Sequence, residues 1–268
     1  MPKTPTELRA DGRAWLSSLG KRYPLHRRLY LVPGICNEDA QMWDTIWMWG
    51  ALTIPNWAEY AERVKFETVP TQQNGDFIGF GDYMRGMIAQ RYPYDATHDV
   101  GEFDVVGYSM GGLDTFAAMI PLAASTYAAT PRMGKAFNFI TLDTPFDGVP
   151  NWALRKSFPD VSGNPGRQSQ CDALAPGSAQ LTALRAARNQ LAGHVERVVC
   201  SGAGGDSASQ VPNSSSNLCY DLTPTQLWGS SPSFTSSLIP GASHAGESAI
   251  FDNEYAIASV FGQLLFGR

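Results

Sequence analysis

A glycine-rich segment between two apolar runs constrains the fold more than any other feature of this 268-residue chain. The segment Gly-Tyr-Ser-Met-Gly-Gly at residues 107–112 follows the apolar run 103–106 and precedes the alanine-rich run 113–124. A strand that turns at once into a helix forces its middle residue into a strained backbone, and bulky neighbours would clash there. We therefore expect Ser109 to stand above the end of a strand, at a helix N-terminus, where the helix dipole favours negative charge.

The rest of the chain alternates between strand and helix patterns. Continuous apolar runs, typical of strands buried on both faces, predict strands at 29–32, 64–69, 103–107, 137–142 and 195–200. Helical spacing of apolar residues predicts helices at 6–19, 83–92, 113–124, 178–191 and 253–266. This alternation predicts an α/β fold, with a mostly parallel central sheet and helices on both of its faces.

Two segments depart from the alternation within what we expect to be a single domain spanning residues 1–268. Residues 147–194 form a long insertion between two predicted strands, which we interpret as a lid or cap. Residues 200–240 contain 11 serines among 41 positions, and they predict a long loop with little regular structure. Long loops of this kind in compact domains are usually functional or mobile.

Composition excludes several classes of protein. With 43% hydrophobic and 17% charged residues the chain does not resemble a disordered protein, which needs low hydrophobicity and high charge. The net charge of −5 argues against a nucleic-acid partner, whose binding depends on neutralising phosphates. No apolar run approaches the roughly 20 residues that a membrane-spanning helix requires. These properties favour an enzyme.

Three segments together resemble the α/β-hydrolase superfamily, and within it the bacterial serine lipases and carboxylesterases. Besides residues 107–112, Leu-Val-Pro-Gly-Ile at 31–35 is similar to the family's His-Gly turn, and Thr-Leu-Asp-Thr-Pro-Phe-Asp-Gly at 141–148 is similar to a lipase segment. Pro33 and Phe146 stand where the family has histidines, and these departures affect local packing and substrate fit. The resemblance implies an α/β-hydrolase fold and ester hydrolysis with Ser109 as the nucleophile.

The same resemblance implies a catalytic acid and then a histidine after the serine along the chain. His26 and His98 precede Ser109, and His194 begins a strand before any loop that could supply the acid, so His244 is the expected base. For the acid, the strand that ends at Cys200 opens into glycines and then Asp206, our first choice. Asp221 is the second choice and Asp143 the third, since Asp143 follows a strand one connection too early.

The fold also predicts which groups receive the reacting oxygen and the substrate. Backbone N–H groups of Met110 and Ile35 are expected to form the oxyanion hole. Residues 41–57 contain four of the seven tryptophans, and their plain interpretation is a core helix. A sharper hypothesis makes Trp43, Trp47 and Phe146 the lining of an acyl pocket or a surface for transient contact with lipid. The expected substrate is then a hydrophobic acyl ester.

Other functions stay open at this stage. The same triad could serve an acyltransferase or a polyester or amide hydrolase, and a non-catalytic binding protein on this fold is a further alternative. A dehydrogenase is disfavoured because no Gly-x-Gly-x-x-Gly turn follows the first clear strand. No cofactor is expected. No group of residues has metal-ligand spacing, although scattered carboxylates leave a calcium site open.

The first 28 residues carry a balance of +5 and the remaining residues −10. The basic segment lacks the apolar core of a secretory signal, so we expect either a cytoplasmic enzyme or the mature form of a secreted bacterial enzyme. Cysteines stand at 36, 171, 200 and 219, and none forms a Cys-x-x-Cys pair. A disulfide between Cys200 and Cys219 would close the serine-rich loop. The oligomeric state is not encoded in any feature that we recognise.

Overall fold

Six strands form one sheet, in which every neighbouring pair is parallel. The computed structural model describes residues 2–35, 41–64, 76–91, 102–120, 134–150, 165–187, 190–191, 194–205, 233–246 and 248–267. The strands are β1 (Arg28–Val32), β2 (Ala61–Arg63), β3 (Phe103–Tyr108), β4 (Ala136–Leu142), β5 (Val195–Ala203) and β6 (Ser233–Ile239). Their order across the sheet is β2-β1-β3-β4-β5-β6. The predicted α/β architecture is confirmed.

Eight α-helices surround the sheet in the described part of the chain. They are α1 (Pro5–Leu19), α2 (Asp44–Thr53), α3 (Trp57–Tyr60), α4 (Phe77–Arg91), α5 (Met110–Met119), α6 (Pro165–Leu174), α7 (Ala179–Ala187) and α8 (Glu254–Phe266). Short 3₁₀ turns cover Gln41–Trp43 and Ile250–Asp252. Of the described helices, none is long and apolar enough to cross a membrane.

The sheet separates two hydrophobic cores, because successive residues of a strand point to opposite faces. Tyr30 and Val105 belong to one core, and Leu31 and Val106 belong to the other. Helices α4 to α7 supply side chains to the first core, whereas α1, α2, α3 and α8 supply side chains to the second. Both faces of the sheet are therefore covered, which explains its continuous apolar strands.

Helix α1 is held against α8 by an ion-pair cluster. Glu254, at the start of α8, bonds Arg9 at 3.0 Å and also Arg13. Burial by itself favours the neutral carboxyl, but hydrogen bonds from Arg13 and Arg9 outweigh it and lower the pKa of Glu254 below its ordinary value. The basic N-terminal segment thus supplies partners for a carboxylate of the C-terminal helix.

Two sequence-based predictions, one of a strand and one of a loop, differ from the structure. The second strand ends at Arg63, directly before the predicted range 64–69, of which residues 65–69 lie outside the described part. At the end of this strand, the guanidinium of Arg63 lies 4.7 Å from the ring centroid of Trp47 and bonds Asp44 at 2.6 Å. The range 200–240, predicted as a loop, contains the end of β5 and the whole of β6. Residues 206–232 within it are outside the described part.

Part of the insertion at 147–194 contributes to the first core. Helices α6 and α7, which belong to it, bury Cys171, Leu174, Leu181 and Leu184 there. The interpretation of the insertion as a lid or cap stays a prediction, and residues 151–164 within it lie outside the described part.

Candidate active site

Ser109 occupies the turn between β3 and α5. Its backbone has φ 52° and ψ −127°, a conformation that residues with a side chain rarely adopt. The turn is fixed from a neighbouring strand, because the Ser109 N–H donates to the carbonyl of Leu142 at 2.9 Å. Helix α5 begins at the next residue, so the serine lies at a helix N-terminus as predicted.

Two glycines make this tight turn sterically feasible. A Cβ on Gly107 would lie 2.7 Å from the backbone nitrogen of Gly112, and a Cβ on Gly111 would lie 2.5 Å from the carbonyl oxygen of Val32. Real side chains essentially never approach backbone atoms so closely. The glycine pattern around Ser109 therefore follows from the close approach of β3, α5 and the end of β1.

The loop after β1 directly contacts the turn that carries Ser109. A Cβ on Gly34 would lie 2.9 Å from Cβ of Ser109. Ile35, the next residue, is half-buried and packs against the core cluster that contains Met110. Met110 is the first residue of α5, and the N–H groups of the first helical turn have no acceptor within their helix. Both residues predicted for the oxyanion hole thus lie beside the Ser109 turn.

His244 is buried in the segment between β6 and α8, and it pairs with Asp143. Nδ1 of His244 lies 2.7 Å from Oδ2 of Asp143. The second carboxylate oxygen, Oδ1, accepts the backbone N–H of Ala203 at 2.9 Å. Asp143 has φ 50° and is 1% exposed, at the end of β4. Aspartate tolerates this left-handed conformation better than most residues.

The carboxylate that bonds His244 is the third choice of the sequence-based ranking. Sequence reasoning placed Asp206 first and Asp143 third, yet the carboxylate bonded to His244 belongs to Asp143. The imidazole nitrogen Nδ1 makes one such hydrogen bond, so Asp143 occupies the position that a catalytic acid would need. Asp206 and Asp221 lie outside the described residues, and the role of the acid stays a proposal.

Tyr108 is a contact residue that sequence reasoning missed. Its ring stacks on the imidazole of His244, with centroids 5.0 Å apart and planes 27° apart. Its hydroxyl donates to the backbone carbonyl of His244. Phe251 packs edge-on against Tyr108, with a centroid distance of 4.7 Å. The residue that precedes Ser109 thus contacts His244 in two ways.

The three residues predicted for the substrate pocket are divided between the two cores. Trp43 is fully buried in the core of α1, α2 and α8, which agrees with the plain interpretation as a core residue. Trp47 is partly exposed and packs edge-on against Trp57 at 5.7 Å. Phe146 lies in the other core, together with Met110. Of the three, Phe146 therefore shares a core with Met110, which the sequence predicts for the oxyanion hole.

Helix α5 also carries a buried carboxyl group. Asp114 is fully buried, and neither of its carboxyl oxygens has a hydrogen-bond partner among the described residues. Burial, followed by the nearby charge of Asp76, raises the pKa of Asp114 well above its ordinary value. Burial thus favours the neutral form of this carboxyl group, which an apolar interior tolerates better than the charged form.

Cys200 is disulfide-bonded in the structure. Its predicted partner, Cys219, lies outside the described residues, so the pairing stays a prediction. Cys200 contributes to the first hydrophobic core near the end of β5. The bond therefore joins the central sheet to another part of the chain.

Comparison with known proteins identifies the fold. No protein-family model matches the chain, and no curated protein matches it. Among solved structures, the lin2722 gene product of Listeria innocua matches with a TM-score of 0.54 and 11% identity, over 90% of this chain and 94% of that one. A protein of Lactobacillus plantarum, named provisionally as a cell surface hydrolase, matches with a TM-score of 0.53 and 13% identity, over 90% and 92%. The chain has the α/β-hydrolase fold.

Proposed function

We propose that the chain is a serine hydrolase that cleaves carboxylic esters through an acyl-enzyme on Ser109. One observation carries this proposal. Ser109 is held at positive φ on a strand-to-helix turn that follows the C-terminal end of β3. The buried His244–Asp143 pair also follows the C-terminal ends of strands of this sheet. A strained serine is stable only where the surrounding structure enforces it, and such strain is concentrated at functional sites.

In the first half of the reaction, Oγ of Ser109 attacks the ester carbonyl carbon while Nε2 of His244 takes the hydroxyl proton. The tetrahedral intermediate collapses, the bond to the alcohol oxygen breaks, and His244 returns the proton to that oxygen. In the second half, water attacks the acyl-enzyme by the same route and releases the carboxylic acid. Asp143 takes the role of the acid, in place of Asp206.

The role of Asp143 follows from its two hydrogen bonds. Its Oδ2 faces Nδ1 of His244, which fixes the tautomer that leaves Nε2 free to accept the serine proton. Its Oδ1 is held by Ala203, so the carboxylate keeps its orientation throughout the reaction. A buried negative charge at this position stabilises the imidazolium that forms when His244 takes the proton.

The developing oxyanion would be bound by the backbone N–H groups of Met110 and Ile35. The helix N-terminus at Met110 adds a favourable dipole. The contact of Gly34 with Ser109 supports the placement of Ile35. Losing one such donor typically costs about 10² to 10³ in rate. Since both donors are backbone groups, side-chain substitutions at these positions act through shape.

The substrate class is a proposal as well. Phe146 and Val149 are apolar and lie in the core that contains Met110, the residue after the proposed nucleophile. An acyl chain bound there would contact hydrophobic side chains, so we expect turnover to rise as the acyl group lengthens from acetyl to butyryl and hexanoyl. Activity confined to acetyl or charged esters would contradict this.

The test of the reaction type is covalent labelling. An organophosphonate is expected to label Ser109 stoichiometrically, which peptide mass spectrometry identifies. Ser109→Ala should abolish labelling and p-nitrophenyl butyrate hydrolysis and leave the fold intact. Ser17→Ala, on the exposed face of α1, is the control and should behave like the parent. Unlabelled Ser109, or residual turnover above about a thousandth of the parent, would reject the proposal. Product analysis with added alcohol then separates hydrolysis from acyl transfer.

A further inference from the structure

We infer that Tyr108 is a positioning residue that holds the imidazole of His244 in register with the adjacent nucleophile. This inference rests on the proposed serine-hydrolase function. Tyr108 contacts His244, the proposed base, and directly precedes Ser109 in the chain. The stacked ring and the hydroxyl-to-carbonyl hydrogen bond are two separate contacts with one residue.

The bond from Asp143 does not by itself determine the tilt of the imidazole ring. A single hydrogen bond at Nδ1 fixes the distance from the carboxylate but allows the ring to tilt about that bond. A ring packed nearly parallel at 5.0 Å opposes this tilt. The tilt decides whether Nε2 points at the serine, and misplacement by about 1 Å can cost about 10²-fold in rate.

The Tyr108 hydroxyl holds the backbone of the same residue. It donates to the carbonyl of His244, so the segment that carries the histidine is attached to the end of β3. Phe251 comes from the 3₁₀ turn that follows this segment and packs on Tyr108 at 4.7 Å. Tyr108 therefore contacts both His244 and the turn after it. Because Tyr108 and Ser109 are consecutive, the nucleophile and the base share one rigid support.

Two substitutions separate the two contacts. Tyr108→Phe keeps the ring and removes the hydroxyl. We expect kcat to fall about two- to tenfold, which is the loss of one hydrogen bond, with KM unchanged. Tyr108→Leu keeps an apolar cover but removes the ring face. We expect kcat to fall about 10²-fold with KM within about twofold of the parent, because the base is misplaced while the substrate still binds.

A control variant accounts for simple loss of packing. Val106 lies on the same face of β3 as Tyr108 and in the same core, so Val106→Ala removes buried volume beside the site. It should lower the melting temperature and leave kcat within about threefold of the parent. A loss of kcat at unchanged KM in Tyr108→Leu, mostly restored in Tyr108→Phe and absent in Val106→Ala, supports the inference, whereas equal kcat in Tyr108→Leu and Val106→Ala overturns it.

The remaining outcomes also decide the question. If Tyr108→Leu does not fold, Phe251→Leu replaces it, since it removes the ring that supports Tyr108 from the other side. A lower kcat with an unchanged melting temperature then supports the inference, and parent-like kinetics overturn it. Failure of the parent to react with the organophosphonate rejects the proposed function itself. Labelled parent protein combined with unaffected Tyr108 variants rejects this inference alone.

Discussion

Nδ1 of His244 lies 2.7 Å from Oδ2 of Asp143, across 101 residues of sequence. The other oxygen of the same carboxylate, Oδ1, is taken by the backbone N–H of Ala203. Each oxygen thus has its own partner, one a donor of the backbone and the other a ring nitrogen of His244. This assignment of atoms determines what an amide would do at position 143.

Asp143→Asn should reduce kcat by about 10⁴ while the fold is retained. The Asn side-chain oxygen must accept the Ala203 N–H, which leaves the Nδ2 amide group facing His244. A donor at that position forces the proton of His244 onto Nε2, the wrong tautomer for accepting the serine proton. Steady-state hydrolysis of a soluble ester measures the effect, and circular dichroism checks the fold.

Asp206→Asn and Asp221→Asn are the controls for this prediction. Both alter carboxylates that the sequence ranked above Asp143, and both should leave kcat within about threefold of the parent. Loss of turnover in Asp206→Asn together with activity in Asp143→Asn would restore the original assignment. The three variants therefore decide between the sequence-based and the structure-based choice of the acid.

The strand-to-helix alternation and the Ser109 turn could be predicted because both depend on local sequence. Apolar runs and glycine spacing determine the local backbone, and each predicted helix overlaps a helix of the structure. The choice of acid could not be made in this way. Several aspartates follow strands, and the order of strands across the sheet decides which one reaches His244. Tyr108 was missed for the same reason, because its stack is a tertiary contact.

The strand β6 was missed for a different reason. It pairs with β5 alone among the described strands, and Thr235 and Leu238 are exposed. A strand at the edge of a sheet does not need a continuous apolar run. Its sequence, Ser-Phe-Thr-Ser-Ser-Leu-Ile, therefore has the composition of a loop. Burial on both faces, which made the central strands recognisable, is absent at this edge.

Ser109→Gly should be more stable than Ser109→Ala by about 1 kcal/mol. A residue with a Cβ at φ 52° and ψ −127° costs about 1 to 3 kcal/mol, and glycine removes that cost at the expense of about 0.5 to 1 kcal/mol of backbone entropy. Both variants lack the nucleophile, so activity does not complicate the comparison. Urea unfolding measures the difference.

Ser17 provides the matched comparison for backbone strain. It lies in α1 with ordinary helical geometry, and its Oγ bonds the carbonyl of Arg13 at 2.9 Å. There Ser17→Gly should be less stable than Ser17→Ala by about 0.5 to 1 kcal/mol. The same sign at both positions would show that the Ser109 turn is not strained.

Gly12→Ala should destabilise the protein by about 1 to 3 kcal/mol. A Cβ on Gly12 would lie 2.5 Å from the carbonyl oxygen of Glu254 and 2.6 Å from Cα of Tyr255, so α1 and α8 would have to separate. Gly262→Ala, in α8, is the control. Its Cβ would meet no heavy atom within 4 Å, and helix propensity predicts a gain of up to about 1 kcal/mol. Equal tolerance of both changes would contradict the close helix contact.

Asp104 should make the protein less stable as the pH rises from about 4 to 6. The side chain is 1% exposed in β3, and its Oδ1 accepts the backbone N–H of Asn138 at 3.0 Å and the side-chain amide at 2.8 Å. Burial raises the pKa of Asp104 to about 6, although Arg27 and Asn138 oppose the shift. Between the pKa of Asp104 in the unfolded chain and its pKa in the native state, the native state binds one proton more than the unfolded chain. The free energy of unfolding is therefore highest below the unfolded pKa and falls as the pH rises through the native pKa.

Asp104→Asn replaces the acid with a group of the same shape that does not ionise. It should match the parent near pH 4 and exceed its free energy of unfolding by about 1 to 3 kcal/mol at pH 8, because the cost of a buried charge disappears. Urea unfolding at pH 4.5, 6 and 8 measures this. Glu196→Gln, which breaks the exposed pair with Lys135, should keep the parent's slope between pH 4 and 6. A slope that persists in Asp104→Asn would mean that another group titrates in this range.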